Sequence, residues 1–277
     1  MKILVSVDIE GVAGVTHAEQ VRPGNPEYER ARAWMTAEAD AAIRGAFEGG
    51  ATEVLVNDSH GGFRNLLLDR LDPRACMVTG KPRYLGMMAG LEQRCDAVFM
   101  VGYHSGAGTR GVLAHTINSF AFRRVAVNGI VLNEALLYGA LAGEMNVPVA
   151  LLCGDDVFLD ETLDHFPGAQ YVETKQAQGN ATCTSLAPAR ACALIYEAAA
   201  RAVSTSPGLC PYAIAEAASG PRFRCEVETQ APGQADLFCQ WPALERTRAN
   251  TLAFGCDSME AVVRTLNCLS AMSFMLR

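Results

Sequence analysis

Ile3-Leu4-Val5-Ser6-Val7-Asp8-Ile9-Glu10-Gly11 opens the chain as an apolar strand that runs straight into two acids one residue apart. Strand side chains alternate between faces, so Asp8 and Glu10 are expected on one side, with Cα atoms roughly 6.5 to 7 Å apart at a rise of about 3.3 Å per residue. Two carboxylates at that spacing can hold a cation. Taken alone the pair fits a chain leaving its core better than a cation site, so the decision rests on whether the pattern recurs.

It recurs twice. Thr52 to Val56 is rich in β-formers and ends in Asn57-Asp58-Ser59-His60-Gly61-Gly62, and the apolar run Ala97 to Gly102 ends in Tyr103-His104-Ser105-Gly106. Between the first two strands, Glu27 to Glu48 is built of good helix formers and is stopped by Gly49-Gly50. Strand, helix, strand implies a right-handed parallel crossover, the unit of an α/β sheet. Three strands therefore each present a metal-competent side chain beyond the carboxyl end, the edge at which open parallel sheets bind ligands. Asn65 to Leu71 and Tyr84 to Gln93 read as short helices, and Ala75 to Gly80 as a short strand.

The glycine-rich Ser105 to Gly111 lacks Gly-Lys-Ser/Thr, so it is no phosphate-cradling loop. His115 follows it. Asn128-Gly129, set between β-rich runs, is a hairpin signal, and Asn133 can cap a helix to Met145 whose first turn holds Glu134. Val147 to Cys153 is a further buried strand, and Gly154-Asp155-Asp156 after it is expected to cap the next helix or hold a loop. Tyr171 to Thr174 reads as a short strand and Pro188 to Val203 as a helix. Ser204 to Pro211 is the best linker candidate and divides the chain into an α/β domain over 1–206, carrying the metal site, and a smaller α+β subdomain over 207–277. The latter has strands at 222–229 and 247–255 and helices at 233–240 and 258–276. The fold class expected is α/β, a mostly parallel sheet with flanking helices plus that smaller C-terminal subdomain.

The composition bounds the partners. A net charge of -7 leaves no basic surplus for nucleic acid or an anionic membrane. No apolar stretch reaches the ~20 residues of a membrane span, and no export signal is visible. The ten cysteines form no Cys-x-x-Cys pair and read as reduced, mostly buried thiols, which with the missing signal gives a cytoplasmic expectation.

Asp8, Glu10, His60, His104 and Glu134, with His115 nearby, form the candidate cluster. So many O and N ligands exceed the needs of one structural zinc and suit two divalent ions sharing a carboxylate, with positions open to water and substrate. Carboxylate and imidazole favour zinc; manganese and cobalt are chemically compatible.

Ser6 to Gly11, Val56 to His60, Val101 to His104, the His115 region, Asn128-Gly129 with Glu134, and Gly154 to Asp156 together resemble, in order and spacing, the zinc-dependent D-aminopeptidase family. The resemblance covers most of the chain and loosens after about residue 207. It implies that Asp8, Glu10, His60, His104 and Glu134 are ligands of a two-zinc site and that His115 is the catalytic histidine. It also implies that the substrate is a short peptide cut at its amino end, and that copies assemble into a homo-oligomeric ring, decameric in the type member. One departure is Asn133, where the family commonly has Gly before the acid. D or L preference is not readable from these motifs.

The rival reading is a Mg-dependent phosphohydrolase of the haloacid-dehalogenase type. It would use Asp8, Glu10, Asp155, Asp156 and Asp160, with Lys175 as the lysine, and would leave His60 and His104 without a task.

Overall fold

The computed structural model describes residues 1–277. In chain order its elements are β1 (Lys2–Val7), α1 (Pro26–Glu48), β2 (Glu53–Asp58), β3 (Cys76–Val78), β4 (Ala97–Val101), β5 (Phe122–Val127) and β6 (Ile130–Val131). Then follow α2 (Glu134–Glu144), β7 (Val149–Asp155), α3 (Asp156–Thr162), β8 (Gln170–Gly179), β9 (Thr182–Ser185) and α4 (Pro188–Thr205). The last are β10 (Phe223–Thr229), α5 (Pro232–Phe238), β11 (Glu245–Arg248), β12 (Thr251–Cys256) and α6 (Met259–Ser273).

Seven strands form one sheet in the order β3-β2-β1-β4-β7-β8-β9, parallel except for the β8–β9 hairpin. Its central strands are buried on both faces, as the apolar runs predict. Ile3, Val5 and Val7 pack with α1 and α4, whereas Leu4, Leu55, Val98 and Met100 face the other way, toward α2 and α6. Each such side chain contributes about 1.5–3 kcal/mol of burial, and a one-residue slip of β1 would exchange the two sets.

The helix starts follow their caps. Asn25 accepts the Tyr28 N–H ahead of α1, Asn133 the Leu136 N–H, Asp155 the Phe158 N–H and Ser258 the Ala261 N–H. α1 and α4 approach closely because Gly45 has no side chain: a Cβ there would lie 2.3 Å from Tyr196 O and 2.8 Å from Ala199 Cβ.

A second, five-stranded sheet runs β11-β12-β10-β5-β6. The 207–277 segment supplies three of its strands, and β10 pairs antiparallel with β5 from the preceding half of the chain. Sheet hydrogen bonding is thus continuous across the division between 206 and 207, since Cys225 and Val227 need the β5 edge. The Asn128-Gly129 hairpin closes as expected, pairing Val127 with Ile130.

Elsewhere the local readings shift. Asn65 to Leu71 and Tyr84 to Gln93 are loops holding only single 3-10 turns, at Leu68–Arg70, Gly86–Met88 and Leu91–Gln93. The 247–255 strand is instead a hairpin turning at Ala249-Asn250. No helix is long and apolar enough to cross a membrane.

Candidate metal centre

β1 ends at Val7, and the chain then turns so that Val12 N–H meets Ile9 O at 3.2 Å. Asp8 and Glu10 therefore converge from a turn rather than from a continuing pleat. The turn wraps the end of β4: Asp8 N–H donates to Val101 O and Gly11 N–H to Gly102 O, each at 2.8 Å. Gly102 permits this, with φ at +70° and only 2.2 Å from the place of a Cβ to Asp8 O.

The residues singled out in the sequence meet here. His60 Nδ1 lies 3.2 Å from Asp8 Oδ1 and 3.0 Å from Glu10 Oε2. His104 Nε2 lies 3.4 Å from Asp8 Oδ2 and 3.7 Å from Glu134 Oε1. His115 Nε2 is 3.8 Å from the same Glu134 oxygen. Asp8 thus turns one oxygen toward His60 and the other toward His104.

Each imidazole is anchored through its other nitrogen to a backbone carbonyl. His60 Nε2 bonds Val21 O at 2.8 Å, His104 Nδ1 bonds Ser105 O at 3.0 Å, and His115 Nδ1 bonds Leu113 O at 2.9 Å. With those nitrogens donating, the facing nitrogens keep their lone pairs, the tautomers in which histidine ligates a metal.

Lone pairs aimed at carboxylates are repulsive unless a cation stands between them. Asp8, Glu10 and Glu134 are buried, and no Lys or Arg pairs with any of them. Burial alone would pull His104 down, yet the negative charges of Glu134 and Asp8 push its pKa up to about 10. Burial would likewise raise Asp8, but the adjoining His104 and His60 imidazoles hold it well below the usual carboxylate range. Glu134 goes the other way, raised by burial against the pull of His104 and His115. Glu10 Oε2 and His104 Nε2 are buried without a hydrogen-bond partner. The donor set and these orphaned atoms fit divalent cations in the cluster.

Other candidates are spent elsewhere. Asp58 accepts Leu66 N–H at 2.8 Å and the Asn65 side chain at 2.7 Å, while Asn65 also donates to His60 O at 2.6 Å, so this pair shapes the His60 loop. Asp155 accepts Phe158 N–H and Val112 N–H, and Asp156 accepts Ala177 N–H. Lys175 is buried and gathers the carbonyls of Glu10, Val12 and Val15. The phosphohydrolase reading therefore lacks both its lysine and its second acid pair. Nothing in the sequence marks Asn65 or Lys175 as supports of the site; Lys175 stands out only as a charge in an otherwise strand-like run.

A cavity of about 430 Å³ opens on the cluster, lined by Asp8, His60, His115 and Glu134 and also by Lys81, Arg83, Asn267, Ser270 and Phe274. Met87, Ile117 and Tyr138 give it apolar walls.

Known proteins of similar sequence and fold are peptidases. The sequence model of the peptidase family described as "D-aminopeptidase" matches residues 1–268. The chain is 33% identical over 260 residues to the D-aminopeptidase of Bacillus subtilis (strain 168), covering 94% of this chain and 93% of that one. A solved structure, the Zn-dependent D-aminopeptidase DppA from Bacillus subtilis, described as a self-compartmentalizing protease, superposes with a TM-score of 0.92 at 30% identity. That superposition covers 99% of this chain and 98% of the other.

Proposed function

The chain belongs to the D-aminopeptidase family and is an aminopeptidase; from that premise we propose that it removes the amino-terminal residue of short peptides with two zinc ions. The observation that carries the two-ion reading is Asp8, whose oxygens face two separate imidazoles. Asp8, Glu10 and His60 would hold one ion, and Asp8, His104 and Glu134 the other. When bound, such ions supply Lewis acidity toward the scissile carbonyl and bring the pKa of water toward about 7.

The protein's own groups do the rest. The buried acids draw the free ammonium of the substrate, which selects the amino end. Ile117 N–H, 2.6 Å from Glu134 Oε1, fixes that carboxylate beside His115. His115, with Nδ1 committed to Leu113 O, has Nε2 free to take a proton from the attacking water and return it to the leaving amine. Met87, Ile117 and Tyr138 offer apolar surface to the substrate beside the cluster.

Two further features rest on the relatives. Their D-aminopeptidase description supports a D residue at the amino end, and the self-compartmentalizing relative supports a homo-oligomer, for which we propose a decameric ring. The test is metal analysis of native protein together with dipeptides and aminoacyl amides of both chiralities, and the mass of the assembly by light scattering. Two bound metals with turnover of D-series substrates is expected; turnover of neither series would overturn the reading.

A further inference from the structure

The cavity is also lined by two cations that no acid pairs. Lys81 and Arg83 line the cavity, and neither forms an ion pair with any carboxylate of the chain. Both sit on one aromatic ring: Arg83 Cζ is 4.3 Å and Lys81 Nζ 5.7 Å from the Phe63 centroid, within range of cation–π attraction.

The ring is held in place at a conformational cost. Phe63 has φ of +57°, a left-handed conformation that a bulky residue seldom adopts. It is clamped there by three hydrogen bonds: its N–H donates to His60 O at 2.8 Å, and its carbonyl accepts Gly80 N–H at 2.6 Å and Thr79 Oγ1 at 2.9 Å. The platform is therefore tied directly to a residue of the acidic cluster.

Arg83 is fixed as well. Its Nε donates to Gly80 O, one terminal nitrogen to Asn57 Oδ1 and the other to Asp58 O at 3.1 Å, while Asn57 is itself oriented by donating to Ala89 O at 2.7 Å. A guanidinium has five N–H groups, so each terminal nitrogen keeps one to offer. Lys81 uses one of its three donors, on Gly61 O at 3.0 Å. Neutral acceptors position this pair without neutralising it.

We propose that Lys81 and Arg83, seated on Phe63, form a carboxylate-binding subsite that receives the C-terminal carboxylate of a short peptide whose amino end lies at the acidic cluster. The assignment rests on the aminopeptidase reading of that cluster. Acids and unpaired cations lining one cavity match a zwitterion, and Arg supplies the planar, bidentate geometry that a carboxylate prefers. A cavity of about 430 Å³ lies low in the range of about 300–1,000 Å³ for small-molecule sites, which fits a dipeptide with both termini free.

The test is calorimetric binding of an alanyl-alanine isostere with CO–CH2 in place of the peptide bond, as carboxylate and as carboxamide in each chirality, to the metal-loaded enzyme. The carboxylate is expected to bind at least about tenfold more tightly than the carboxamide. Lys81→Met and Arg83→Met should each shrink that ratio, and the double variant should bring it near one. Lys81 is exposed, so K81M keeps the test open if the Arg83 variant does not fold. Equal binding of the two forms by the native enzyme, binding of neither, or an unchanged ratio in folded K81M overturns the proposal. Hydrolysis of the parent dipeptides is read in parallel. Carboxylate preference without hydrolysis leaves the subsite standing and removes the aminopeptidase reading; hydrolysis without the preference does the reverse.

Discussion

The imidazoles of His104 and His115 lie face to face, 4.2 Å between centroids and 9° from coplanar. The stack places both Nε2 atoms against one carboxylate oxygen of Glu134. His115 is the outer and more accessible of the two, and its ring borders the cavity that the inner one does not reach.

His115→Ala should therefore keep the metals and lose turnover by about 10²- to 10⁴-fold, the usual contribution of a positioned acid–base group. Metal content and steady-state kinetics on one sample check it. Loss of metal in that variant would make His115 a ligand instead.

The two acids of the opening turn should separate in their effects. Asp8 pairs with both His60 and His104, whereas Glu10 pairs with His60 and comes only within 4.8 Å of His104. Asp8→Asn is expected to cost both metals and Glu10→Gln mainly one, read as metal per chain after dialysis. Equal losses would refute the division of labour while leaving the cluster in place.

Gly45 tests the helix pair far from the chemistry. Gly45→Leu forces a side chain into the Tyr196 carbonyl and Ala199, and overpacking of this kind costs about 1–3 kcal/mol. Gly233, in α5 with open space around it, is the control, where Gly233→Ala should be neutral or stabilise by up to about 1 kcal/mol. Thermal or urea melts decide, and equal melting of the two variants would mean that α1 and α4 are not held at close approach.

Glu38 provides a pH dependence away from the cluster. Burial raises its pKa to about 7, although Ala13 N–H at 2.9 Å and the nearby Lys175 charge pull the other way. A folded-state pKa above the ordinary 4.5 means that folding favours the protonated acid. Its contribution is complete below about 4.5 and is lost as pH climbs through about 7. Urea unfolding of the native protein should show falling stability across that window, and Glu38→Gln should flatten it. At pH 8 the variant should gain on the order of 3 kcal/mol. A parallel pH profile for the two proteins would rule this out.

Much of the architecture follows from short-range patterns. The apolar runs at 3–7, 52–56, 97–102 and 147–153 become central strands because each must bury both faces, and the polar residues that end them have nowhere to go but the sheet edge. That is why Asp8, His60 and His104 are visible as neighbours in a linear sequence. Glu134 is reached through its helix cap. The 3-10 turns at Leu68–Arg70 and Gly86–Met88 deceive a propensity argument, because Asp58 and Asn57 capture the backbone of those loops from a distance. The β8–β9 hairpin is missed because Thr182 to Ser185 is polar and half-exposed. Phe63, Lys81 and Arg83 carry no pattern at all: their relation is created by the loop that returns Gly80 to Phe63 O.

Asn267, Ser270, Ala271 and Phe274, which line the cavity along with the cluster, belong to α6 and the turn after it. Every acid and imidazole of the cluster precedes them in the chain, Glu134 being the last. A ribosome consequently delivers all the reactive groups long before it makes the wall that confines them. A chain cut short before α6 would keep every ligand of the cluster but lack this wall.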